Sequence, residues 1–195
     1  GLVTVCSPDT VQQAIASYRP ELMTEGLPST EEGSLGEEST PRLMELLGGK
    51  DSAAIGPGLG THQGTVKTVR HVVQEAGLPL VIDADGLNAF AGHTEKIVNS
   101  QSQPLILTPH PGEFARLVDL PTSQVYADKL ALAREFAQHH QVWLVLKDFR
   151  TLIAEPSGQI YVSPNGNPGM ASAGMGDVLT GVLASVVGLF AARGL

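Results

Sequence analysis

Short β-branched runs recur along the chain: LVTV at 2–5, AAIG at 53–56, PLVIDA at 79–84, PLILT at 104–108 and VWLVLK at 142–147. Each is nearly continuous in apolarity, the pattern of strands covered on both faces. Polar stretches between them carry an apolar stripe at helical spacing. In THQGTVKTVRHVVQEAG the stripe is Val66, Val69, Val73 and Ala76, with Gly77 as a stop signal. In TSQVYADKLALAREFAQHHQ it is Val125, Leu130, Ala133 and Phe136. This alternation predicts a doubly wound, three-layer α/β/α domain around a mostly parallel sheet. RTLIAEPSGQIYVSP holds two short strand runs around a PSG turn, so an antiparallel edge is expected.

Two segments break the rhythm. Residues 24–40, TEGLPSTEEGSLGEEST, are acidic and poor in large apolar groups, which predicts an exposed loop without chemistry. The run from Val178 to Ala192 is strongly apolar, but Thr180, Ser185 and two glycines interrupt it and it falls short of the ~20 residues a bilayer requires. It reads as a buried core helix, and no membrane partner is expected. The opening GLVTVCSPDT lacks the basic, apolar and small-residue regions of a signal peptide and reads as a strand entering a helix.

Composition narrows the function classes. A chain of 195 residues fits one domain, spanning 1–195, in which folding buries roughly 70% of the chain's surface. A formal net charge of -8 argues against nucleic acid or anionic lipid as partners, since both need clustered Lys and Arg, so any bound anion must be held locally. One cysteine, Cys6, excludes an internal disulfide and suits the reducing cytoplasm. No His, Cys or carboxylate spacing resembles a zinc site.

The chemistry-bearing residues gather where the predicted strands end. Ligands of open parallel sheets bind outside the carboxyl ends of the strands. AAIG is followed by PGLG, PLVI by DADGLN, PLIL by TPHPGE and VWLVL by KDFRT. In GPGLG, Pro57 and the glycines make a turn or let a ligand approach bare backbone; the segment is no Walker A and fits the Rossmann spacing poorly. In DADGLN, Asp85 is either a helix N-cap or a substrate contact. In TPHPGEF, prolines hold His110 rigid beside the expected cleft, while Glu113 suits a helix first turn. His62, His71, His93, His139 and His140 read as solvated. Finally, ASAGMGD leads into the apolar run, so Gly174, Met175 and Gly176 should present free amides at a helix N-terminus, a seat for phosphate. Asp177 beside it is either a cap or the base that takes a proton from a hydroxyl attacking a phosphoryl group.

GPGLG, DADGLN, TPHPGEFARL and GNPGMASAGMGDVLTG, in this order and at these separations, resemble the ATP/ADP-dependent NAD(P)H-hydrate dehydratases, a branch of the ribokinase-like superfamily. The resemblance covers essentially the whole chain. It implies a ribokinase-like fold and repair of hydrated NADH or NADPH with ADP or ATP as co-substrate, alongside Mg²⁺. It also implies a homo-oligomer. Asp177 matches the family's acid at the helix start. Gly58, Gly60, Asp85, Asn88, Thr108, His110, Pro111, Gly112 and Glu113 match its hydrate-binding side. Lys147, Asp148, Phe149, Arg150 and Thr151 match the stretch around AMP, with Asn167, Gly169, Met170, Ala171, Ser172, Gly174, Met175 and Gly176 completing the nucleotide site. The family usually reads Lys-Gly where this chain has Lys147-Asp148. Its members usually carry a strand and helix before a segment like GLVTV and further helices after the apolar run. A kinase of a small vitamin-precursor alcohol and a non-catalytic nucleotide-binding fragment are the alternatives.

Overall fold

The computed structural model describes residues 2–98 and 103–194. Strand β1 (Thr4–Pro8) enters helix α1 (Asp9–Tyr18), and β2 (Met23–Leu27) returns parallel to β1, so the pair forms a small sheet of its own. The segment 24–40, expected to be an exposed loop, therefore begins as a strand. It also buries Leu27, Leu35 and Ser39, whose hydroxyl donates to Pro28 O at 2.6 Å. Its few apolar side chains are spent on the core, while its acids stay outside.

The main sheet has six strands in sequential order: β3 (Ala53–Ile55), β4 (Leu80–Ile82), β5 (Leu105–Leu107), β6 (Trp143–Leu146), β7 (Leu152–Ala154) and β8 (Ile160–Val162). The first four are parallel, and β7 and β8 add an antiparallel edge through the expected hairpin. Helices α2 (Thr40–Leu47), α3 (Gln63–Glu75), α4 (Ala84–Asn88), α5 (Pro111–Val118) and α6 (Thr122–His140) precede or link the parallel strands. Because the strand order never reverses, right-handed crossovers place the linking helices on one face. The expected double winding is thus absent: the sheet winds in one direction.

Alternation along the strands serves both faces. Leu80, Ile82, Leu105, Leu107, Leu144 and Leu146 join the large core with Val69, Val72, Phe90, Phe114 and Phe136. Val81, Ile106 and Val145 turn to the other face, where α7 (Met175–Ala191) covers them with Leu183, Ala184 and Val187. This return crossing by α7 completes the three layers.

Two helices depart from expectation. Leu130, assigned to the buried stripe of α6, is 51% exposed, because a non-helical residue, Asp128 (φ -120°, ψ 21°), breaks the helical phase between Val125 and Ala133. Helix α7 is not a fully buried core helix either. Thr180 and Gly188 are buried, but Val178, Val182, Val186, Leu189 and Phe190 are exposed on its outer side. Among the described residues no helix is long and apolar enough to cross a membrane.

The junction of β3 with α4 is the tightest backbone approach of the sheet. Gly56 has φ 136°, and a Cβ there would overlap the carbonyl of Asp83. Gly58 has φ 70° but open space around it. Gly56→Ala is expected to cost roughly 2–4 kcal/mol from strain and overlap together. Gly58→Ala is expected to cost about 1 kcal/mol, from backbone strain alone. Urea midpoints of the two variants measure the difference, and equal losses would refute the close approach.

Candidate active site

Four parallel strands end at one rim. After β3 the glycine loop turns on positive φ at Gly56, Gly58 and Gly60. The amide of Gly60 donates to Asp85 Oδ2 at 2.9 Å, and Asn88 Nδ2 donates to Asp85 Oδ1 at 3.1 Å. Asp85 is therefore no N-cap: Asp83 occupies that position, and Asp85 ties the glycine loop to α4. Arg116 Nε extends the chain of bonds to Asn88 Oδ1 at 3.0 Å. Gly60, Asp85 and Asn88 thus stand together.

After β5, His110 caps α5 in a reciprocal box. Its Nδ1 accepts from the amides of Gly112 (3.0 Å) and Glu113 (3.3 Å), while Glu113 Oε2 accepts from the His110 amide at 2.8 Å. Pro111 occupies the first helical turn, where a missing N–H costs nothing. An accepting Nδ1 leaves the proton on Nε2, which lies 3.6 Å from Glu113 Oε1 on a half-exposed ring. Thr108 is fully buried and donates to Ile82 O at 3.3 Å. Of the histidines expected to be solvated, His62 instead caps α3 by accepting from Gly64 N, and His140 packs on Phe136 at 4.4 Å.

The centre of the rim is an ion pair. Asp83, 2% exposed at the end of β4, accepts from Lys147 Nζ through Oδ1 at 2.7 Å and from Thr180 Oγ1 through Oδ2 at 2.9 Å. Lys147 Nζ also lies 4.0 Å from Glu113 Oε2. Burial alone would push the Asp83 carboxyl up; the hydrogen bond and charge of Lys147, with the hydroxyls of Thr180 and Thr108, outweigh it and hold the group below its ordinary value. The sequence reading gave no role to Asp83 or Thr180. The legible signals were a carboxylate closing a fully apolar strand and a hydroxyl inside an apolar helix.

Helix α7 begins over this pair. A Cβ on Gly176 would stand 3.4 Å from Asp83 Oδ2 and 3.6 Å from Lys147 Nζ. Gly174 starts the helix at φ 84°. The amide of Met175, expected to be free, instead bonds Ser172 O at 3.3 Å. No acceptor among the described residues stands against the amides of Gly176 and Asp177, so the first turn keeps donors for an anion. Asp177 is exposed in that turn.

The remaining nucleotide candidates form outer loops. Asp148 is neutralised by Lys129 Nζ at 3.0 Å. Phe149 is 75% exposed with the Arg150 guanidinium 5.5 Å above its ring, and Thr151 Oγ1 donates to Asp148 O. Asn167, Gly169, Met170, Ala171 and Ser172 lie on the exposed stretch before α7, where Asn167 Oδ1 accepts from Gly169 N at 2.8 Å. Their hydrogen bonds are local, and none joins them to the Lys147–Thr151 loop. Two surface hollows, of about 550 and 490 Å³, lie elsewhere, beside Phe136 and His139 and beside Lys67 and Arg70.

Residues 1–193 match the profile of the NAD(P)H-hydrate dehydratase family. The chain belongs to this family. It is 45% identical over 188 residues to the bifunctional NAD(P)H-hydrate repair enzyme of Moorella thermoacetica, a match covering 96% of this chain and 35% of that one. Among solved structures it is similar to the ADP/ATP-dependent NAD(P)H-hydrate dehydratase of Bacillus subtilis co-crystallized with ATP/Mg²⁺ (TM-score 0.75, 28% identity, 96% of this chain and 62% of that chain). A ribokinase-like superfamily protein of Enterococcus faecalis V583 matches equally well (TM-score 0.75, 29% identity, 97% and 61%), which makes the fold ribokinase-like. The chain thus spans about a third of the first relative's length and under two thirds of these structures. Within the family frame, the motifs quoted above fall on the rim and on α7.

Removing the cation isolates the electrostatics of the rim. Asp83 has a lowered pKa, so it stabilises the fold above the ordinary carboxylate range, and that contribution is lost as pH falls through its depressed value. In Lys147→Met the burial remains and the cation does not, so the carboxyl is pushed upward relative to the unaltered chain and the loss of stability grows as pH rises. Relative to the unaltered chain, the variant should lose roughly 3 kcal/mol at pH 7 and clearly less at pH 4.5. Equal losses by urea titration at the two pH values would contradict the pairing.

Proposed function

We propose that the protein dehydrates hydrated NADH or NADPH to NAD(P)H, using ADP or ATP as the phosphoryl source. One observation carries the reading: the free amides at the start of α7 lie against the Lys147–Asp83 pair, on the rim that also bears His110, Glu113 and the Gly60–Asp85–Asn88 cluster. The names of the Moorella and Bacillus proteins support the same substrate and nucleotide class.

In this reading the amides of Gly176 and Asp177 hold the nucleotide phosphate, and Asp177 takes the proton of the hydrate's C6 hydroxyl. With ADP, the hydroxyl oxygen bonds to the terminal phosphorus as the bond to AMP breaks. The ring-nitrogen lone pair then expels the phosphate from C6, and loss of the C5 proton restores the double bond. Products are AMP, phosphate and the reduced cofactor. Gly60, Asp85, Asn88, His110 and Glu113 line the hydrate side, and the loop Lys147–Thr151 lies on the nucleotide side. Mg²⁺ enters with the nucleotide phosphates. The reading extends to a cytoplasmic homo-oligomer of one catalytic domain.

The test is recovery of the reduced-nicotinamide absorbance from hydrated NADH, Mg²⁺ and ADP or ATP. Asp177→Asn should retain ADP binding and lose about 10²- to 10⁴-fold in turnover. Absence of recovery with either nucleotide refutes the reading, and ADP binding without turnover would favour a non-catalytic role.

A further inference from the structure

We infer that Lys147 serves the terminal phosphate of the nucleotide rather than its AMP portion, and that Asp83 and Thr180 are the positioning residues that aim it. The inference rests on the dehydratase reading for the identity of the nucleotide. It separates Lys147 from the neighbours with which the motif groups it: Asp148 turns to Lys129 and Phe149 stands exposed under Arg150, whereas Lys147 reaches back over the end of β4.

Three elements meet at this ammonium. Its backbone amide donates to Pro109 O at 2.8 Å, which fixes the root of the side chain beside the β5 loop. Its Nζ donates to Asp83 Oδ1 at 2.7 Å. Asp83's second oxygen is held by Thr180, one turn into α7 beyond Gly176. The same carboxylate therefore grips both the cation and the helix whose first amides await an anion. An ammonium has three donors, and one goes to Asp83. Glu113 Oε2, at 4.0 Å, is too distant for a second hydrogen bond. The remaining donors lie beside Gly176, whose lack of a side chain leaves the approach bare. A phosphate seated on the amides of Gly176 and Asp177 is thus offered a cation already held in place, and terminal phosphate is the part of the nucleotide that helix N-terminus accepts.

The test compares affinities for ADP and AMP by calorimetry in the presence of Mg²⁺. Because Lys147→Met strands a buried carboxylate, the cation is removed in the double variant Lys147→Met/Asp83→Asn, which leaves a neutral pair. In that variant the Kd for ADP should rise roughly tenfold or more while the Kd for AMP moves less than about twofold. Asp83→Asn and Thr180→Val alone should also reduce the preference for ADP over AMP, and Thr180→Ser should restore it. Parallel weakening of ADP and AMP would return Lys147 to the AMP portion and overturn the inference. A lowered Tm with an unchanged ADP/AMP ratio in Asp83→Asn and Thr180→Val would make those residues merely structural and overturn their assignment. An unaltered protein that binds neither nucleotide overturns this inference together with the dehydratase reading. One that binds both with the expected ratio but restores no reduced cofactor refutes the reaction alone.

Discussion

The Asp83–Lys147 pair is the constraint on which the rim depends. A carboxylate 2% exposed at a strand end is tolerated only when its charge is answered, because desolvation of a lone ion outweighs anything nearby packing could return. Lys147 and two hydroxyls answer it. The geometric effect exceeds the energetic one. β4 supplies the acid, β6 the cation and α7 the threonine, so one polar knot registers three elements that are otherwise joined by interchangeable apolar contacts. Leucine, alanine and valine on α7 would pack against Val81, Ile106 and Val145 in more than one sliding position. Thr180 on Asp83 selects one of them, and that position brings Gly176 to the ammonium.

The winding of the sheet explains why α7 can do this. With the linking helices on one face, the other face is left to α7, which crosses β3 and β4. The rim therefore lacks the crevice that a reversal of strand order would create. Its place is taken by a helix terminus laid across the strand ends, so the floor of the site comes from four strands and its anion donors from one helix. Ser52, just ahead of β3, anchors the middle of α7 by donating to Ala184 O at 2.7 Å. Two polar ties about one turn apart, at Thr180 and Ala184, hold a helix whose outer surface is apolar.

Most of this rim was legible in the sequence, because the end of each buried strand is marked by an abrupt change from β-branched residues to Gly, Asp, His or Lys. The capping box of His110 and Glu113 was half visible in the Pro-framed TPHPGE, and the positive-φ glycines of GPGLG were visible outright. What escaped was every feature set by pairing across long separations. Asp83 and Thr180 are 97 residues apart and Lys129 and Asp148 are 19 apart, so neither bond leaves a local trace. The direction of winding escaped for the same reason: alternating strands and helices are compatible with either strand order. Segment 24–40 was misjudged because Leu27 and Leu35 are isolated in an acidic stretch, and two well-placed leucines suffice to tie to the core a segment that composition assigns to solvent. Leu130 was misjudged because a periodic stripe presumes an unbroken helix, and Asp128 breaks this one.

On the proposed function, an acidic chain that holds a polyanion must overcome its own field. With a formal charge of -8, the long-range potential opposes approach of a nucleotide, and at physiological ionic strength it is screened beyond about 8 Å. What would decide binding at the proposed site is therefore the first few ångströms, where backbone amides and one ammonium act without the entropy cost of ordering several long side chains. The amides carry no net charge and cannot be neutralised by the surrounding acids, whereas surface cations can, as Lys67 by Glu37 and Lys129 by Asp148 already are. Lys147 avoids that fate only in part: Asp83 takes one of its donors and leaves the rest directed at the helix terminus. A site built in this way should respond weakly to salt for an anion binder, because few mobile cations are exchanged and the principal donors are fixed dipoles.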